Sequence, residues 1–258
     1  MATFQERKPF AQPLLPYVDT YIQVSGKEAP SKYIPPHAGI SLVMDFGHHS
    51  RYEGARLKIA VIGHQERPFY LHRTEGADHD ALNIRFTAYG ASAFVKLPLH
   101  EINNLLIDAA DLFGPDIYQL YETLQPVSRL DTRIQLVETF LLNRLQAPSP
   151  TRQLIYRMAD TLRYTTDFPA LETIKTATTL SNRQIERCFR QLVGINMRQY
   201  RRMVRWEKAR NLLEQNRYQK LSDIAYEAGY FDQSHFIADC RAMLNITPKE
   251  YKSCTMSH

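Results

Sequence analysis

The sequence predicts an α+β chain in two parts: a β-rich, barrel-like N-terminal domain with a helical tail, then an all-α C-terminal domain in which a helix-turn-helix unit occurs twice, the copies joined by a linker helix. Three observations predict it. Apolar residues alternate with period two only before Gly90, the pattern of half-buried strands. After Gly90 the apolar spacing is that of helices. Positive charge is gathered in the second half: residues 150–258 hold 18 Lys and Arg against 11 Asp and Glu, whereas residues 1–149 hold 14 against 16. A basic half beside a near-neutral one points to a polyanion-binding module attached to something else.

The broad class follows from composition. With 44% hydrophobic and 23% charged residues in 258, the chain has the apolar content for two cores and is neither disordered nor membrane-embedded in character. The opening stretch MATFQERKPFAQPLLPYV is charged and proline-broken, and no run approaches the ~18 apolar residues of a membrane span, so a cytoplasmic protein is expected. Cys188, Cys240 and Cys254 have neither metal nor redox spacing; reduced thiols and no cofactor are expected.

In the N-terminal part, Leu42, Met44 and Phe46 alternate with Ser41, Val43 and Asp45, and Leu82, Ile84 and Phe86 alternate with Asn83 and Arg85. Residues 17–24, 58–62 and 69–72 are rich in β-branched and aromatic side chains. Ser25-Gly26, Gly47 and Gly76 read as turns between strands, and the whole as a small sandwich or barrel with room for an enclosed apolar cavity. Ile134, Val137, Leu141 and Leu145 share a helix face, and Leu141 and Leu145 are candidates for a dimer surface. Ala147-Pro148-Ser149-Pro150 is the expected linker, because proline interrupts a helix and constrains the residue before it. The domains are accordingly 1–147, regulatory, and 151–258, nucleic-acid-binding, each expected to fold by itself.

Beyond the linker, one helix carries Leu154, Met158 and Leu162, and another starts near Pro169. Ser181 with Gln184 has the form of a capping box, so a helix starts there; Ile185, Cys188, Phe189 and Leu192 give its apolar face and Gly194 ends it. The same grammar returns further on: Ile224-Ala225 in a short helix, a turn at Gly229-Tyr230, Asp232 as cap, Phe236, Cys240 and Leu244 inside, and Thr247-Pro248 opening the next turn. Aligning Phe189 with Cys240 superposes the two, with a long helix from Met197 to about Glu214 between them.

Residues 155–252 resemble the DNA-binding domain of the AraC/XylS family of transcription regulators. The resemblance rests on Leu171-x-x-Ile174; Ser181, Ile185, Phe189-Arg190 and Gly194; Ala209-x-x-Leu212-Leu213; Ile224-Ala225, Gly229-Tyr230, Asp232, Ser234 and Phe236; and Thr247-Pro248 with Tyr251. Residues 10–146, including Ile84-Arg85-Phe86 and Leu112-Phe113-Gly114, are loosely similar to the sensor-like domains of some such regulators. Departures are Thr179 where the family usually has a turn glycine, Met197 for a frequent proline, Cys240 for a phenylalanine and Asn245 for a glycine. A β-branched Thr179 is strained in left-handed geometry, so the first turn is expected to differ locally.

The resemblance implies a regulator that binds double-stranded DNA and is controlled through its N-terminal domain; it leaves open a small-molecule effector, RNA polymerase and a second copy of the chain as further partners. In such a motif one helix presents side chains to base edges in the major groove. On the first recognition helix the outward set is Asn182, Arg183, Glu186, Arg187 and Arg190, with Arg183, Glu186 and Arg187 as base readers because arginine pairs bidentately with guanine and glutamate accepts from cytosine. On the second it is Gln233, Ser234, Ile237, Ala238 and Arg241: glutamine for adenine, isoleucine for a thymine methyl, and Arg241 for phosphate. Arg198, Arg201, Arg202, Arg205 and Lys208 cluster on the linker helix, some facing phosphates and some only solvent. Trp206 reads as packing rather than stacking.

Two other classes compete with this reading. His37, His48, His49, His64, His72, His79 and His100 raise a metal sensor or enzyme-like N-terminal domain, against which no His-x-His with a following glutamate has the spacing of metal-binding cupins. A nucleic-acid binder without sequence preference requires basic residues over both halves or aromatic platforms, which the charge split opposes.

Overall fold

The computed structural model describes residues 3–27, 31–47, 50–52, 58–74, 77–164, 168–176, 178–216 and 218–256. Two β-sheets and a set of helices form the N-terminal half. The larger sheet is antiparallel and open, with strand order β1 (Thr3–Arg7), β2 (Val18–Lys27), β8 (Asp78–Phe86), β4 (Ser41–Asp45), β6 (Ile59–Ile62), β9 (Leu106–Asp108); β3 (Ser31–Ile34), β7 (Phe69–Arg73) and β5 (Ser50–Tyr52) form the second. One row of side chains shows why the alternation was needed. Tyr21, Ile84, Leu42 and Val61 stand opposite one another across four strands, each at most 1% exposed. The period-two positions therefore fill one continuous face.

Ser25-Gly26 is not a turn. β2 runs on to Lys27, and Gly26, at φ 91°, pairs with His79 inside the ladder, using a conformation open to glycine to keep the long strand in register. Gly76 and the His48-His49 pair lie outside the described residues.

The tail helices α1 (Ala110–Phe113), α2 (Ile117–Leu124) and α3 (Leu130–Leu142) cover the sheet. Ile134, Val137 and Leu141 are wholly buried in that core, and Leu145 packs at its margin. Leu141 is thus consumed by its own domain and is unavailable to a dimer face.

The C-terminal half is helical: α4 (Pro150–Tyr164), α5 (Phe168–Thr176), α6 (Asn182–Val193), α7 (Met197–Gln215), α8 (Leu221–Glu227), α9 (Gln233–Leu244) and α10 (Pro248–Met256). Residues 145–149 are irregular and Pro150 is the first residue of α4, so α3 ends before Leu145, which the spacing had placed on its face.

The two halves share a packed seam. Tyr17, Tyr89 and Tyr156 interlock, Tyr89 stacking on Tyr156 at 4.1 Å with Tyr17 edge-on to both. Around them the Tyr89 hydroxyl donates to Asp160 (3.1 Å), Arg152 donates to the Ser92 carbonyl (2.6 Å), and the Ala38 amide donates to Glu207 (2.9 Å). Asn103 donates to the Gly194 carbonyl at 2.7 Å, which fixes the exit of α6 against the turn Leu99–Ile102. Apolar rings with satisfied polar groups at their edge make a stable contact, so independence of the halves does not follow from the linker alone.

Two histidines sit at or near this seam. Burial, then the neighbouring Arg85, His64 and Arg210, push His37 down to about 3, and burial pushes His64 down to about 4. Both are neutral when folded, while the unfolded chain takes up their protons below about pH 6.5. Stability is therefore full above that pH and falls as the pH drops toward 4 and 3. Urea midpoints of the whole chain should decline between pH 7 and pH 5, and His37→Gln should flatten the decline; equal slopes in the two proteins would show that His37 contributes nothing.

Candidate nucleic-acid interface

α6 forms because its first turn is capped from both sides. The Gln184 amide donates to Ser181 Oγ at 3.3 Å and the Ser181 amide donates back to Gln184 Oε1 at 2.8 Å. Gly194, left-handed at φ 97°, ends the helix. Ile185, Phe189 and Val193 point into the core, each at most 1% exposed. Val193 takes the innermost place expected of Leu192, which is half-buried, because the buried face centres on Phe189, from which Val193 is about 40° round the helix and Leu192 about 60° on the other side. Outside, Asn182, Arg183, Arg187 and Arg190 are exposed and Glu186 is half-buried. Among the described residues, none of the three arginines forms an ion pair or side-chain hydrogen bond within the chain. Their guanidinium donors are free for an outside acceptor.

The preceding turn solves the Thr179 problem by avoidance. Thr179 is not among the residues with positive φ, so the chain bends there without left-handed backbone.

The second unit repeats the plan with different chemistry. Asp232 Oδ1 accepts from the His235 amide at 2.7 Å, and Asn245 at φ 61° replaces the terminal glycine. Phe236 and Cys240 are wholly buried. Burial holds the Cys240 thiol up at about 12, so it is a packing residue. Gln233, Ser234 and Arg241 are exposed and Ile237 is half-buried. A further capping box opens α10, as one at Asn196 and Gln199 opens α7: the Glu250 amide donates to Thr247 Oγ1 (3.2 Å) and the Thr247 amide to Glu250 Oε2 (2.6 Å).

α7 binds the units together, and this employs part of its basic cluster. Arg202 Nε donates to Asp239 of α9 at 2.5 Å, and the Tyr230 hydroxyl reaches the other oxygen of that carboxylate at 3.1 Å. Arg205 lies over the Tyr230 ring, 5.1 Å from its centroid. Trp206 is wholly buried, edge-on to Tyr251 of α10 at 5.3 Å. Of the five cluster residues Arg198 is exposed and the other four are half-buried.

In the N-terminal half a cleft of about 520 Å³ opens beside the connection to α4, lined by Phe94, Lys96, Leu97, Leu112, Arg144 and Leu145 among others. It lies among the helices and is half open, not enclosed by strands. No group of three or more His, Cys, Asp and Glu residues poised around one ion occurs among the described residues, nor is any described helix long and apolar enough to cross a membrane.

Two copies of a capped helix, each braced by a partner and displaying polar side chains, define a paired helix-turn-helix domain, the class of fold that presents a helix to the major groove. Residues 175–253 match the model of a helix-turn-helix domain, and residues 5–108 match a domain of unknown function. The C-terminal domain thus holds a helix-turn-helix domain. No curated protein matches the chain significantly. Among solved structures, ToxT from Vibrio cholerae is similar over 98% of this chain and 97% of its own, at 10% identity and a TM-score of 0.47. ToxT bound to an unsaturated fatty acid gives 98% and 94%, at 11% identity and 0.45. The xylose-binding transcription activator XylR covers 48% of this chain and 38% of its own, at 18% identity and 0.32.

Proposed function

We propose that the chain recognises a specific duplex site with both helix-turn-helix units and that residues 1–147 regulate this binding without catalysing a reaction. The observation that carries the reading is the free, exposed row Arg183, Arg187 and Arg190 on a helix capped at both ends. In it, Arg183, Glu186 and Arg187 read base edges, Asn182 and Arg190 hold the flanking backbone, and Gln233, Ser234, Ile237 and Arg241 engage a second groove segment about 34 Å away. The cleft beside the connection to α4 is where a small-molecule effector would bias the seam, since a ligand acts only through unequal affinity for two states.

Selection from a random duplex library with the full-length protein, followed by footprinting, tests this. One site protected over about two helical turns is expected; equal binding to every duplex would sink the reading. On the selected site, Arg187→Ala should cost about 1–3 kcal/mol and relax preference at one base pair, while Arg241→Ala should weaken all duplexes alike and reduce the salt slope by about one. Uniform losses in both variants would remove base reading from α6.

A further inference from the structure

We infer that Phe231, the residue immediately before the cap of α9, is a specificity-determining contact that reads a thymine methyl in the groove segment facing the second unit. The inference rests on the DNA-binding reading above and adds to it a residue outside the expected set.

The internal repeat supplies the argument. Superposing Ile185 on Phe236 places Leu180 on Phe231, both directly before the cap residues Ser181 and Asp232. An apolar residue at that place ordinarily folds back onto the fourth residue of its helix and fixes the entry of the chain. Leu180 is half-buried and packs against the core that contains Ile185. Phe231 does not: its ring is 89% exposed while Phe236, the side chain it would meet, is wholly buried. The entry of α9 is fixed without it. Gly229 turns at φ 83°, the Tyr230 amide donates to the Ala225 carbonyl at 2.8 Å, and Asp232 caps the helix. A large ring that contributes nothing to the fold is thus held at the end of a recognition helix.

That end is the one that enters the groove, where the first residues of the helix meet base edges. The exposed surface continuing from Phe231 is Gln233, Ser234 and Ala238, with Ile237 half-buried beside them. It carries no acidic side chain of α9: Asp239 is turned to Arg202 and Tyr230, and Asp232 is occupied by its own helix. An apolar ring beside an amide, without arginine, complements a thymine methyl next to adenine, and the phosphates on either side are met by Arg241 at the far end. The two units would then read by different means, charged donors in the first and apolar contact in the second.

The test uses the full-length protein and its library-selected duplex. Phe231→Ala should lower affinity about tenfold, the size of one lost base contact, and Phe231→Leu should restore part of it. Replacing each thymine of the second half-site by deoxyuridine removes only the methyl. At one position wild type should lose affinity about threefold while Phe231→Ala is insensitive. Unchanged melting of the variant would confirm that the fold is intact. If wild type selects a site but Phe231→Ala binds it equally well, or both proteins respond identically to every deoxyuridine, the inference fails, and the ring belongs to a protein surface instead. If wild type selects no site, the failure is that of the DNA-binding reading itself.

Discussion

Asp80→Ala should destabilise the protein by about 3–5 kcal/mol, more than removal of its partner Arg133, because it strands a guanidinium that has no access to water. Arg133 is 0% exposed and pairs with both oxygens of Asp80 at 2.6 Å, its plane 4.1 Å above the Phe46 ring. Asp80 is 35% exposed on its side chain and can be rehydrated when the arginine is lost. Arg133→Met, which keeps most of the volume against Phe46 and leaves a carboxylate that water can reach, should therefore cost clearly less. Chemical denaturation of both variants checks the order. If Arg133→Met proves the more damaging, packing on Phe46, not charge, dominates the pair.

The second large effect is expected at Trp206. Truncation to alanine deletes a wholly buried indole between the two helix-turn-helix units, and such deletions cost about 3–5 kcal/mol. Among the described residues the indole nitrogen has no hydrogen-bond partner, so Trp206→Phe gives up volume but none of these bonds and should retain most of the stability. Function should separate the variants further. Tyr251, against which the indole edge rests, also donates to Glu214 of α7 at 2.8 Å, so loosening this contact frees the second unit relative to the first. Trp206→Ala is expected to shorten the footprint to one groove segment, where Trp206→Phe keeps both; a full-length footprint from the alanine variant would show that Arg202 and Asp239 suffice.

How much of this was legible in the sequence depended on how local its cause was. The capped start of α6 and the Asn245 terminus of α9 are decided by residues three or four apart, and both were readable. β1 was not, because Thr3–Arg7 is exposed along its whole length and owes its place to pairing with β2, leaving no alternation to detect. Nor was the seam, where Asn103 meets Gly194 across 91 residues of chain. Phe231 was hidden for the opposite reason: an aromatic at an apolar staple position looks like core, and only its exposure distinguishes it from Leu180.

Every hydrogen bond across the seam named above ends on α4, on α7 or at the exit of α6, and none on α8, α9 or α10. α7, with 19 residues at about 1.5 Å each, is close to 28 Å long, and this one rod carries both the seam bond at Glu207 and the second unit's bonds at Arg202 and Glu214. A tilt of about ten degrees of such a rod displaces one end against the other by roughly 5 Å, a large part of the ~12 Å width of a major groove. A displacement at the seam is therefore carried by one rigid helix to both units together, not to either alone.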